Sequence, residues 1–266
     1  MDNRPIGVFD SGLGGLTCVK ELMHVLPGEN IIYLGDTGRV PYGTRSNETI
    51  IQYALEGVAF LEKFDVKRII IACGTVSTVA MEQVRQHARV ATMGVLEVTS
   101  AKAVALTKNK KVGVIATSAT TRSQAFRNRL LQLDPEISVY ANACPLFVPL
   151  VENGYIEDDN PVTHLVAEEY LAPLREAGID TLIMGCTHYP VIAGCIARSL
   201  PGVALVDPGK EAAISTADIL AKENGKSEYN AGTNRYYVTD STEGFSSVAS
   251  IFLDREITES VERIVL

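Results

Sequence analysis

The sequence predicts an α/β protein built as two similar doubly wound domains, with mainly parallel sheets and a ligand cleft between them. Three observations carry that expectation. Short Val/Ile-rich runs alternate with amphipathic helical stretches from end to end, the order that generates strand-helix-strand units. Most of these runs are apolar throughout instead of alternating, as in strands covered on both faces. A strand-loop-helix unit around Cys73 also resembles one around Cys186, which points to a duplicated half.

Taken in order, strands are expected near Ile6 to Asp10, Ile31 to Asp36, Arg68 to Cys73, Thr92 to Leu96, Lys111 to Thr117, Ser138 to Ala143, Thr181 to Cys186, Val203 to Asp207 and Arg235 to Thr239. The first runs into the glycine loop Ser11-Gly12-Leu13-Gly14-Gly15 and a helix from Leu16 to Leu26. The second is followed by a Pro41-Tyr42-Gly43 turn and then by Asn47 to Phe64, where Ile50, Ile51, Ala54, Leu55, Val58 and Leu61 keep helical spacing. The third leads through Cys73 into a helix from Val76 to Ala88. No Gly/Ser or Pro-rich linker interrupts the chain, so crossings are expected near Leu96 to Thr99 and Asp207 to Lys210. They divide it into residues 1–97 with 208–266, and residues 98–207, the segment around Tyr236 to Thr239 returning to the first unit.

Composition narrows the function. The 266 residues are 46% hydrophobic and 21% charged, enough for a substantial core. The net charge is -8, and no basic block exceeds the Lys108, Lys110, Lys111 group. A nucleic-acid partner would need a basic face that this composition lacks. An acidic ligand would instead need local help from helix N-termini or backbone N–H groups. No apolar run reaches membrane-spanning length and no signal segment is evident. Five cysteines, an odd number, do not read as a disulfide framework, and with the rest they point to a cytoplasmic protein with reduced thiols.

Five segments could carry chemistry. Asp10 heads the glycine loop, where it could serve a ligand or merely stabilise the loop. Thr17 stands where a dinucleotide fingerprint needs its third glycine, which disfavours a nicotinamide-dependent oxidoreductase. Tyr42 and Gly43 form a turn able to offer a phenol and backbone donors. Cys73, beside Gly74 and Thr75, lies at a helix N-terminus, where the dipole favours a thiolate. Thr117 and Thr120 supply hydroxyls for a helix cap or a carboxylate. Cys186, Thr187 and His188 place an imidazole two residues from a thiol, able to assist proton transfer. A zinc reading of Cys-x-His finds no second ligand pair with suitable spacing. Cys18, Cys144 and Cys195 fall in apparent helix or strand interiors and read as structural. Parallel strand ends are where open α/β sheets bind ligands, so Cys73 and Cys186 could face one small molecule from two sides.

In order and separation, Asp10-Ser11-Gly12-Leu13-Gly14-Gly15-Leu16, Gly35-Asp36-Thr37 with Pro41-Tyr42-Gly43, and Gly185-Cys186-Thr187-His188-Tyr189-Pro190 resemble the glutamate racemases of the aspartate/glutamate racemase superfamily. The resemblance implies interconversion of L- and D-glutamate without PLP or metal, in a cleft between the domains, supplying D-glutamate for peptidoglycan. It implies Cys73 and Cys186 as the proton-transferring pair, the first acting on the D isomer and the second on the L isomer. Asp10 and His188 would assist them, and Ser11, Tyr42, Gly43, Gly74, Thr75, Thr117, Thr120, Thr187 and His188 would hold substrate together with Asp10. Glu152 is implied as an accessory polar group near the second cysteine, and a homodimer is implied as the assembly. One position departs. Gly74 stands where the family has asparagine, so a carboxamide contact worth about 1.5–3 kcal/mol is missing unless water or Ser77 replaces it. The departure leaves aspartate or another amino acid as an alternative substrate, and a non-catalytic amino-acid-binding protein as an alternative class.

Overall fold

The computed structural model describes residues 1–243 and 245–266. Its first part runs β1 (Ile6–Asp10), α1 (Leu16–Val25), β2 (Ile31–Gly35), α2 (Asn47–Leu61), β3 (Arg68–Ile71), α3 (Gly74–Val79), α4 (Met81–His87) and β4 (Ala91–Gly94). The chain continues through α5 (Val95–Leu106), β5 (Lys111–Ala116), α6 (Ser118–Ser123), α7 (Ala125–Leu133), β6 (Ser138–Ala143), α8 (Phe147–Glu152), α9 (Pro161–Ala177), β7 (Thr181–Met184), α10 (Ala193–Ser199) and β8 (Ala204–Val206). It closes with α11 (Pro208–Lys222), β9 (Asn234–Val238), α12 (Phe245–Leu253) and β10 (Val261–Arg263).

These strands form two sheets, ordered β10-β9-β2-β1-β3-β4 and β6-β5-β7-β8, the α/β architecture that the sequence predicts. Every pairing is parallel, as between Ile6 and Ile31 or Val112 and Thr181. Parallel strands need crossover connections, which cover both faces with helices and explain the continuous apolar runs. The fully buried Ile69, Ile70 and Ile71 of β3 are one such run. Helix α11 packs on both α1 and α5, drawing the two halves together.

Each sheet repeats the order second-first-third-fourth among its successive strands, which fixes where ligands can enter. In both, the connections leave the first strand and return on opposite sides. The crevice therefore opens at the carboxyl ends of β1 and β3 in one sheet, and of β5 and β7 in the other. Cys73 follows β3 and Cys186 follows β7.

Several boundaries differ from expectation. Strands β3 and β7 stop two residues short of their cysteines, and β4 stops at Gly94 because α5 begins at Val95. The helix expected over Val76 to Ala88 is two helices, broken at Ala80. Its opening Thr75-Val76-Ser77-Thr78-Val79 stretch consists of β-branched residues and serine, weak formers of a long helix. Helix α2 tightens into a 3-10 turn over Glu62–Phe64, closed by Asp65 at φ 50°. Cys144 lies just beyond β6, with its amide donating to Ala116 O at 2.9 Å, and not inside a strand. Strand β10 was not expected, because Val261-Glu262-Arg263 is a short edge segment with no apolar run.

Candidate active site

The first crevice begins at Asp10, the last residue of β1. Its side chain is wholly buried, and Oδ2 accepts the Gly12 amide at 2.9 Å. Burial pushes the carboxyl pKa up, while the charge of His188 and backbone N–H groups oppose that shift. Beside it, the Ser11 hydroxyl lies 3.2 Å from the Cys73 sulfur. Cys73 is 5% exposed at the start of α3. Desolvation, reinforced by Asp10, pushes this thiol up to about 12. The expectation of a thiolate favoured by the helix N-terminus is thereby reversed. A six-residue helix offers little field, and its N–H groups and Ser11 do not offset burial.

Cys186 occupies the equivalent place after β7, also buried, with its sulfur 3.8 Å from His188 Nδ1. The other ring nitrogen of His188 lies 2.9 Å from Glu152 Oε1 at the end of α8. Burial opposes charge on this imidazole, but the Cys186 and Glu152 bonds prevail and raise its pKa to about 10. The edge of Phe252 from α12 meets the ring at 5.1 Å between centroids. Thr187 Oγ1 donates to Asp10 Oδ1 at 3.4 Å, so Asp10 touches the second cysteine's turn as well as neighbouring the first thiol.

Three hydroxyls join the halves. Thr75 and Thr117 lie 3.0 Å apart, Thr117 donates to Thr120 at 3.1 Å, and Thr120 reaches back to Thr75 at 3.4 Å. Ser77 is not free to replace a missing carboxamide. Its hydroxyl donates to Ile71 O at 2.9 Å and accepts the Val95 amide at 3.1 Å.

A cavity of about 320 Å³ lies between these groups. Both thiols reach its wall, with Ser11, Gly43, Gly74, Thr75, Thr117 and Thr187. Asp10 and Thr120 stand behind that wall. Tyr42 lines the cavity, but its hydroxyl is committed to Asp36 Oδ2. Asp36 also accepts Arg39 Nε at 2.6 Å and the Thr239 hydroxyl at 2.7 Å. It is thus the anchor of the Tyr42 loop, a role that only its place in Gly35-Asp36-Thr37 after a strand could have signalled. Val148 and Pro149 of α8 supply an apolar wall that carries no sequence signal of its own.

Among the described residues, the charged side chains on the wall are Glu152 and His188. A ligand carboxylate would therefore meet hydroxyls and backbone N–H groups, not a lysine or arginine. No group of three or more His, Cys, Asp or Glu among the described residues is arranged to hold a metal ion.

Two buried thiols at matching crevices of two parallel sheets define a racemase-like α/β protein, and comparison with known families agrees. The Asp/Glu/Hydantoin racemase family model matches residues 16–216, and the chain belongs to that family. It is 45% identical over 252 residues to the glutamate racemase of Geobacter metallireducens, covering 94% of this chain and 93% of the relative. With a Neisseria meningitidis glutamate racemase the identity is 46% over 267 residues, covering 99% and 97%. The structure of Francisella tularensis glutamate racemase in complex with D-glutamate superposes with a TM-score of 0.92 at 42% identity, covering 99% and 98%. No helix among the described residues is long and apolar enough to cross a membrane.

Proposed function

We propose that this protein racemizes glutamate through two thiols on opposite faces of the substrate. The observation that carries the reading is the delivery of Cys73 and Cys186, one from each sheet, to a single cavity. The full-length likeness to glutamate racemases supports glutamate as the substrate.

From the L side, Cys186 starts as the thiolate and takes the α-proton. An S–H bond forms, the Cα–H bond breaks, and the electron pair stays on the substrate. The Cys73 thiol, kept protonated by burial, then gives its proton to the opposite face and becomes the thiolate. The D-to-L direction runs the same steps backwards. His188 supplies positive charge beside whichever form of Cys186 is anionic, with Glu152 holding the ring. Asp10 orients the Thr187 turn, and Ser11 hydrogen-bonds the first sulfur. The Thr75 and Thr117 hydroxyls, held from behind by Thr120, and the loops of Gly43 and Gly74, braced by Tyr42, hold the carboxylates and place the α-carbon between the sulfurs. Neutral donors aimed at a substrate that gains carbanion character stabilise it without quenching the proton acceptor.

In this reading the enzyme works as a homodimer in the cytoplasm, its free cysteines suiting a reducing compartment, and supplies D-glutamate for peptidoglycan. The two units are residues 1–97 with 208–266, and residues 98–207. Optical rotation followed with each enantiomer of glutamate and aspartate tests the substrate. Loss of rotation with both glutamate enantiomers is expected. Turnover confined to aspartate would make the protein an aspartate racemase, and none with any amino acid would make it a binding protein.

A further inference from the structure

Two glycines of the first half press on the turn that carries the second thiol. A Cβ placed on Gly74 would run into the Gly185 carbonyl oxygen and lie 3.2 Å from its carbonyl carbon. A Cβ placed on Gly14 would overlap the Thr187 hydroxyl and His188 Nδ1, and come within 2.7 Å of the imidazole Cε1. These contacts fall at opposite ends of one short turn, Gly185 to His188. Neither glycine is needed for a left-handed backbone, since the glycines with positive φ among the described residues are Gly154, Gly178 and Gly202. What Gly14 and Gly74 supply is the absence of a side chain.

We propose that Gly14 and Gly74 are positioning residues that form a two-point stop, setting how closely the Cys186 turn seats against the Cys73 turn. The inference rests on the two-thiol reading and adds what fixes the spacing that reading requires. The stop at Gly74 is rigid. Its obstacle is backbone, and the Gly185 amide is itself held from behind by Ile115 O at 2.7 Å. The stop at Gly14 bears on side chains, one of them the imidazole beside Cys186, which a methyl group there would have to push against its bonds to Cys186 and Glu152. Between them, the Thr17 hydroxyl lies 2.8 Å from Gly14 O and 3.1 Å from Thr187 O, a shared donor that bridges the Gly14 loop and the turn. The glycine that departs from the related motif thus marks a close approach of the two halves, and the space a side chain would fill is taken by the Gly185 carbonyl.

Glycine-to-alanine variants separate the two contacts. Gly74→Ala adds only a methyl group and should lower kcat in both directions by about 10- to 100-fold, in line with the cost of sub-ångström to 1 Å misplacement of reacting groups. Its pH profile should keep the wild-type shape. Gly14→Ala displaces the imidazole as well, and its alkaline limb should move to lower pH. Gly74→Asn should be at least as impaired as Gly74→Ala. Alkylation of substrate-free protein with iodoacetamide, mapped by mass spectrometry, gives a readout independent of turnover: Cys73 and Cys186 should react faster in Gly74→Ala. Should Gly74→Ala not accumulate as folded protein, the same measurements on Gly14→Ala carry the test. Wild-type kcat in Gly74→Ala, improved glutamate turnover in Gly74→Asn, or alkylation rates equal to wild type would each overturn the stop. Faster alkylation in a variant of a wild-type protein that is inert on glutamate would support the stop while removing the racemase reading.

Discussion

His188 Nδ1 lies 3.8 Å from the sulfur of Cys186, while its Nε2 is held 2.9 Å from Glu152. The imidazole is therefore fixed from both sides, and its pKa of about 10 keeps it cationic at neutral pH. Among the described residues, no such cation stands beside Cys73. Its sulfur meets the neutral Ser11 hydroxyl and the field of Asp10, and its pKa is about 12. The two thiols are thus matched in topology and opposite in electrostatics.

That asymmetry predicts unequal effects of one substitution. His188→Asn should lower kcat from L to D by about 100-fold, the lower range for a lost acid-base partner, and kcat from D to L by less, with KM compensating so that kcat/KM falls equally in both directions, as an equilibrium constant of one requires. Polarimetry started from each enantiomer checks this.

Glu152→Gln should leave racemization measurable and shift the alkaline limb of kcat to lower pH. The Glu152 bond is one of the causes that raise the His188 pKa, so its loss lets the imidazole deprotonate sooner. An unchanged limb would mean that His188 does not govern it.

Cys73→Ser and Cys186→Ser should each abolish racemization, because each face then lacks its proton carrier. Thermal unfolding should stay cooperative in both, since the exchange of sulfur for oxygen changes little volume. Normal turnover in either variant would exclude the two-thiol mechanism.

Stability should fall as pH rises. His188 has a folded pKa of about 10 against an ordinary value of 6.5, and Cys73 about 12 against 9.0. The folded chain binds more protons in both intervals, so unfolding becomes easier with rising pH. The His188 contribution is complete below about 6.5 and lost on passing about 10. The Cys73 contribution is lost between about 9 and 12. Melting temperatures measured across this range should decline, and His188→Asn should flatten the lower interval.

Asp36→Asn should destabilise the protein by about 1–3 kcal/mol, the cost of weakening a buried, multiply bonded carboxylate. Because Asp36 ties Tyr42, Arg39 and Thr239 together, KM should rise more than kcat falls. Denaturant titration and steady-state kinetics measure the two effects.

The sequence reveals the parallel sheets because strands buried on both faces, such as Ile69 to Ile71, are apolar without alternation. It does not reveal β10, where Val261-Glu262-Arg263 pairs at a sheet edge without an apolar run to mark it. The positions of Cys73, Cys186 and His188 are legible as local motifs at strand ends. Their electrostatics are not: the pKa of Cys73 is set by burial from both halves, and local reading of a helix N-terminus gives the opposite sign. Tyr42 looks like an offered phenol until Asp36, remote from the cavity wall, claims its hydroxyl. Gly74 likewise reads as a missing carboxamide until Gly185, which follows a strand of the other sheet, fills its space.

The most direct test of the two-thiol account is racemization of protiated L-glutamate in D₂O, with early samples resolved by enantiomer and isotope. The hydrogen delivered to the opposite face comes from the solvent-exchanged Cys73 thiol, and the one removed stays on Cys186, so the D-glutamate first formed should contain deuterium at Cα while the remaining L-glutamate stays protiated. Deuterium entering L-glutamate as fast as D-glutamate, or protium carried from L to D, would contradict proton transfer by two separate bases.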